Sequence, residues 1–298
     1  PSAGSDTFAM DVGNGSSDIS VPNFDSGFPV DLGIYKQTGS ANDWVLSDRL
    51  ISGKWLKTNT TGTENTYGGI KFDSNVGWAA GGFGSGVQSW MWSKRGKGLD
   101  IITYLGDDFR GREIPHQLNA VPEMMFFKSR TAGYGWCVYH ASEGPTKYGL
   151  LDTNGKFESA AVVRFNNVAP TKTHFTLGED GEVNAINQQY IAFLFSSVAG
   201  ISKCGSYDGS NSTITVTTGF QPRFIIIKRT DSGGSWLTWD TVRGWVDGTS
   251  NPSLEFNTDG AQTTANGYTG GPISTGFTLN TNADYNGNGG KYLYYAHS

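Results

Sequence analysis

The chain has 298 residues, with 22 Lys and Arg against 27 Asp and Glu for a net charge of −5, and 42 glycines against 10 prolines. An acidic chain without a basic block speaks against a nucleic-acid partner, which requires clustered Lys and Arg. No apolar run reaches the roughly 18 residues of a membrane span, so no membrane insertion is expected, and the glycine-rich composition favours short strands and many turns.

Residues 1 to 11 read as an N-terminal extension. The opening "PSAGSDTFAMDVGNGSSD" lacks the basic and apolar regions of a signal peptide. Removal of an initiator Met and an unseen upstream stalk would both leave Pro1 first.

From there the chain repeats itself three times, over 12–98, 99–202 and 203–298. The first copy carries "PVDLGIYKQTGSANDWVLSD", the second "PEMMFFKSRTAGYGWCVYH" and the third "PRFIIIKRTDSGGSWLTWD". In each, an apolar run ends in a lysine and a tryptophan follows eight residues later: Lys36 and Trp44, Lys128 and Trp136, Lys228 and Trp236. A polar residue lies four further on, at Asp48, His140 and Asp240. The downstream ends match too, with Phe175 to Tyr190 in the second copy spaced like Phe277 to Tyr292 in the third. The first copy is divergent, ending in "GWAAGGFGSGVQSWMW". Repeats of this length are domain-sized, longer than solenoid repeats.

Each copy reads as β. "EMMFFK" and "RFIIIK" are apolar on both pleat faces, as a strand between two packed layers would be. The loops "SRTAGY" and "RTDSGG" join each run to a second strand as a hairpin. The fold expected is therefore all-β, three tandem β-sandwich units related by internal repeats. Trp44, Trp136 and Trp236 are expected in the structural core, and the three lysines to reach water from the strand ends with their stems over the core edge. The basic run "SKRGKG" at Ser93 to Gly98 reads as a linker, and Cys137 and Cys204, far apart and outside any ligand spacing, as reduced thiols.

No catalytic constellation stands out. Asp107 and Asp108, and Glu179, Asp180 and Glu182, are carboxylate clusters in turn-like text. "GFGSGV" around Ser85 lacks the strand–turn–helix setting of a nucleophile elbow, because "VQSWMW" after it reads as strand. "DYNGNGG" copies half of a calcium loop at Asp284, Asn286 and Asn288, but Tyr295 stands where the bidentate Glu belongs, so a turn is expected. His116, His140, His174 and His297 form no paired metal motif. Neither a metal nor a cofactor is expected.

The text "YDGSNST…VTTGFQPRFIIIKRTDSGGSWLTWDTVRG…STGFTLNTNADYNGNGGKYLYYAHS", with "IPHQLNAVPEMMFFKSR", "YGWCVYH" and "YIAFLF" in the second copy, resembles a module recurrent in tail-fibre and other virion surface proteins of marine bacteriophages. The resemblance covers 99–298 and weakens before that. It implies a concanavalin-like or jelly-roll sandwich and a place on the particle surface. The partners it implies are other virion subunits, possible homotrimerisation, and a host cell-surface glycan or protein. It transfers no catalytic residue. An adhesin is the leading expectation, with a decorating or structural virion protein as the alternative and a polysaccharide depolymerase behind both. For an adhesin, the ligand is expected at loops of the third unit, at 244–252, 264–273 and 282–290. Trp245, Tyr268 and Tyr285 would stack there on a sugar, and Asn251, Asn266, Asn282 and Asn286 would supply hydrogen bonds.

Overall fold

The computed structural model describes residues 4–81, 86–96, 98–248, 250–265 and 267–298. Nearly all regular structure is strand, paired antiparallel in several sheets, and among the described residues the one α-helix is Val162–Phe165.

Three larger sheets follow one plan. In the second unit the order across the sheet is Gly149–Leu150, Cys137–His140, Met124–Ser129, Gln189–Phe195, Leu99–Leu105. The third unit repeats it with Leu254–Glu255, Leu237–Asp240, Phe224–Arg229, Lys291–His297 and Ser202–Asp208. The first unit places Lys54–Lys57, Val45–Asp48, Leu32–Gln37, Val87–Trp92 and Phe8–Val12 in the same order, with Asn65–Thr66 added at the edge. The repeated hairpin has one register throughout: Leu32 faces Asp48, Met124 faces His140 and Phe224 faces Asp240. The first unit begins earlier than the sequence reading placed it. Phe8–Val12 is no extension, since it pairs along its whole length with Val87–Trp92.

Alternation along the central strands sorts their apolar side chains between two cores. Leu32, Ile34, Met124, Phe126, Phe224 and Ile226 enter a single cluster with Trp44, Trp136 and Trp236, drawn from all three units. The intervening residues face outward into clusters belonging to each unit: Tyr35 in the first, Met125 and Phe127 in the second, Ile225 and Ile227 in the third. A small outer sheet contributes to each of these. Phe24–Asp25 pairs with Gly77–Trp78, Arg112–Pro115 with His174–Leu177, and Gly276–Leu279 with Ile214–Thr217 and Pro272–Ile273. Strands apolar on both faces thus lie between two layers, but the inner layer is shared. Separate tandem cores do not describe the inner faces, because each unit's inner stripe is covered by the other two.

The repeated Trp and Lys form the seams between units, in a cyclic pattern. Trp136 Nε1 donates to the carbonyl of Lys57 in the first unit at 2.8 Å, Trp236 to Leu150 in the second at 2.9 Å, and Trp44 to Glu255 in the third at 2.8 Å. Backbone bonds repeat the cycle: Glu64 N to Arg130 O, Phe157 N to Thr230 O and Gln262 N to Thr38 O. The lysines do not reach water, contrary to the sequence expectation. All three are fully buried. Lys128 Nζ donates to Tyr134 O of its own hairpin loop at 2.7 Å and to Thr61 O of the first unit at 3.0 Å. Lys36 bonds Asn42 O and Asp259 O, and Lys228 bonds Gly234 O and Asn154 O, in the same way. A loop of the neighbouring unit caps each strand end and takes the place of solvent. Loss of hydration lowers each ammonium to about 8.

Candidate functional site

The outer faces are where the three units differ. In the third unit the loops expected to meet a ligand form the cover of the outer core. Trp245, Tyr268 and Tyr285 are all buried. Tyr268 and Tyr285 pack edge-on against each other with centroids 5.1 Å apart, and both pack against Trp239. Tyr268 Oη donates to Asp284 Oδ2 at 2.9 Å, and Tyr285 Oη donates to Asn280 Oδ1. Asn251 Nδ2 donates to Gly270 O at 2.6 Å while its Oδ1 accepts from Val246 N. Asn286 Nδ2 donates to Ser212 O at 3.0 Å, and its Oδ1 accepts from Ser210 N. These rings and amides therefore serve the interior, which corrects their assignment as ligand contacts. A ring enclosed on both faces has no surface left to stack on a sugar. Asn282 is half-buried and accepts from Asp284 N, and Asn266 lies outside the described residues. With Asn286 turned inward, the calcium-like text is a turn closed by the Asn282–Asn286 bridge. Ser85 lies outside the described residues.

The carboxylate clusters of the second unit are engaged by arginines. Glu179 pairs with Arg110, Asp107 with Arg112, and Glu182 and Asp180 with Arg164.

What closes the outer face in two units is a tyrosine on the last strand. Registers with the central strand place Val87 opposite Gln37, Tyr190 opposite Ser129 and Tyr292 opposite Arg229, so the three positions correspond. Tyr190 Oη donates to Gly181 O at 2.6 Å and accepts from Ala185 N. Tyr292 Oη donates to Ala283 O at 3.0 Å and accepts from Gly287 N. Each phenol pins the loop that leads into its own strand down onto the sheet. Valine has neither the reach nor the hydroxyl to do so.

The first unit accordingly keeps a cleft at this place, of about 220 Å³. Tyr35, Val45 and Val87, from the outward face of the sheet, form its apolar side together with Trp55, which is half-buried. Gln37, Asn42, Asp43 and Lys57 supply its polar side. Lys57 Nζ lies 2.6 Å from Asp43 Oδ2 and 5.8 Å from the centroid of Trp55. Asn59 Nδ2 donates to Asp43 Oδ1 at 2.8 Å, and Asn59 Oδ1 accepts from Trp44 N, so the carboxylate is positioned from the seam itself. Burial alone would raise the Asp43 carboxyl, but hydrogen bonds from Lys57 and Asn59 and the charges of Lys57 and Lys36 hold it below its ordinary value. Asn42 Nδ2 donates to Gln37 Oε1 at 3.1 Å. The charged pair is peculiar to this unit: Gly135 and Leu150 occupy the corresponding places in the second, Ser235 and Glu255 in the third.

An aromatic face beside a carboxylate, an ammonium and two amides is an arrangement that can bind a polar ligand. Sequence reasoning missed it because it looked for aromatics in loops. Trp55 lies on the strand Lys54–Lys57, where an aromatic reads as core. The available signal was the absence, in the first copy, of a counterpart to Tyr190 and Tyr292.

Residues 73–298, most of the chain, match the model of a family described as a domain of unknown function, DUF7483. No curated protein matches the chain.

Proposed function

We propose that this chain, which belongs to the DUF7483 family, is a saccharide-binding protein of a virion surface, an adhesin that holds a host glycan without chemically altering it. The virion setting rests on the resemblance of 99–298 to phage tail-fibre modules, and would bring neighbouring virion subunits as further partners. One observation carries the binding reading: the cleft of the first unit, where a half-buried tryptophan adjoins a carboxylate, an ammonium and two amides. Stacking of an aromatic face on a sugar ring, with planar polar groups oriented for hydroxyls, is the economical way to hold a hydroxyl-rich ligand in a shallow site.

The test is a glycan array probed with the purified chain, followed by calorimetry on any glycan retained. Trp55→Ala should abolish retention, whereas Tyr268→Phe, in the closed face of the third unit, should leave it unchanged. A chain that retains no glycan and no host cells, yet is found built into particles, would replace this reading with that of a decorating virion protein. Release of reducing ends from a retained polysaccharide would instead make it a depolymerase.

A further inference from the structure

Resting on the saccharide reading, we infer that the cleft selects an uncharged pyranose that presents two adjacent hydroxyls, and that the Asp43–Lys57 pair is the element that reads them. The pair sets a strong acceptor and a strong donor side by side, 2.6 Å apart at Asp43 Oδ2 and Lys57 Nζ, on the rim of the cleft beside Trp55. Two neighbouring ring hydroxyls match that pattern, one donating to the carboxylate and the other accepting from the ammonium. Both partners retain capacity for it. Asp43 spends one bond on Asn59 and one on Lys57, leaving lone pairs on each oxygen, and each partner's side chain is one-third exposed.

Charge balance decides against an acidic sugar. Around the cleft, Lys57 and the buried Lys36 face Asp43 and Asp259, whose charges act on one another. A carboxylated ligand engaging a free donor of Lys57 would set a second negative charge beside Asp43, with one ammonium to serve both. That like-charge contact falls in a half-buried setting, where it is less screened than in bulk water. A neutral diol adds bonds to both ions and separates neither. Gln37 and Asn42, bonded to each other, line the same cleft and offer amide groups to a further hydroxyl.

Calorimetry on the full chain separates this inference from the reading beneath it. The probes are methyl hexopyranosides, their deoxy analogues lacking one of the two adjacent hydroxyls, and the corresponding methyl uronates, each at low and high NaCl. Neutral hexosides should bind with an affinity that salt leaves unchanged, and loss of either hydroxyl should weaken binding about tenfold, the effect of one hydrogen bond to a charged group. Asp43→Asn and Lys57→Gln should each weaken it about as much. Lys57 meets Trp136 only through its carbonyl, so Lys57→Gln should leave the seam intact and lower the melting temperature only by the few degrees that loss of a partly exposed ion pair entails. Tighter binding of uronates, weakening with salt, would overturn the neutral-diol inference while leaving the saccharide reading intact if Trp55→Ala still abolishes it. Undiminished binding in both charge variants would overturn the role of the pair. Binding of no pyranoside in the panel, together with a blank glycan array, would sink both.

Discussion

The outer face of the third unit and that of the first are built on the same sheet plan and differ in one layer. In the third, Trp239, Trp245, Tyr268 and Tyr285 fill the space above the sheet, and Tyr292 ties the covering loop down by its hydroxyl. In the first, Val87 stands in that position and a cleft remains. The seam tryptophans show no such divergence, since Trp44, Trp136 and Trp236 make the same bond to the neighbouring unit. Copies that keep their seams alike and let one outer face open are under different demands on the two sides. On the binding reading proposed above, recognition is to be sought where the copies disagree.

The comparison can be broken first at the side that is shared. Trp236→Ala should lower the unfolding free energy by about 3–5 kcal/mol, the range for removing a large buried aromatic, as measured by urea titration. A loss under about 1 kcal/mol would mean that the seams do not carry the fold. Next, Tyr292→Val gives the third unit the residue of the first. It deletes a buried ring and two hydrogen bonds of the 280–290 loop, for an expected loss of about 3 kcal/mol. Faster amide exchange should appear across that loop while the strand Phe224–Arg229 stays protected, and uniform exchange would show that the phenol is no clamp.

The third test concerns the polar residue that ends each hairpin, and its sign follows from the direction of each shift. His140 is driven down to about 4 by burial, and His297, at the seam beside Phe8, down to about 3 by the same cause. An imidazole held neutral in the fold and protonated more readily when unfolded contributes stability above its unfolded value near 6.5, and that contribution is lost as pH falls toward 4. Asp48, pushed up to about 7 by burial, works the other way, favouring the fold below its unfolded value near 3.8 and fading as pH rises through 7. In the third unit Asp240 is met by Arg243, by Gln88 and by the indole of Trp90. With two imidazoles against one carboxyl, stability should fall by on the order of 2 kcal/mol between about pH 6.5 and 4.5. His140→Gln should flatten that decline, and an unchanged slope in the variant would remove His140 from the account. The smallest effect on stability belongs to the converse swap: Val87→Tyr should change the unfolding free energy by less than about 1 kcal/mol while filling the cleft and ending glycan retention. Persisting retention would place the ligand elsewhere.

Much of this was legible in the chain. The spacing from Lys128 to Trp136 and from Lys228 to Trp236 announced the hairpins, and runs apolar on both faces announced strands with a layer on each side. The identity of the inner layer was not legible, because nothing within "FIIIK" distinguishes burial against its own unit from burial against the next one. The lysines were misread for the same reason: a strand end reads as exposed unless the loop of another repeat is known to cover it. Trp245, Tyr268 and Tyr285 were misplaced because glycine-rich flanks signal a loop but not whether the loop is a lid over an apolar face. Trp55 drew no reading from the sequence, because it lies on a strand whose pattern gives no hint that it borders a cleft.

The cyclic seams bear on how the molecule comes apart. A linear array of repeats has end units that contact one neighbour and fray first. Here the third unit leans on the second, the second on the first and the first on the third, so no unit is terminal. Loosening any unit withdraws an acceptor from one neighbour's indole and ammonium and leaves its own indole and ammonium buried without their partners across the seam. Opening any one unit therefore breaks two of the three seams, where an end unit of a linear array would break one, and the partly open forms through which proteases gain entry should be scarcer than in such an array.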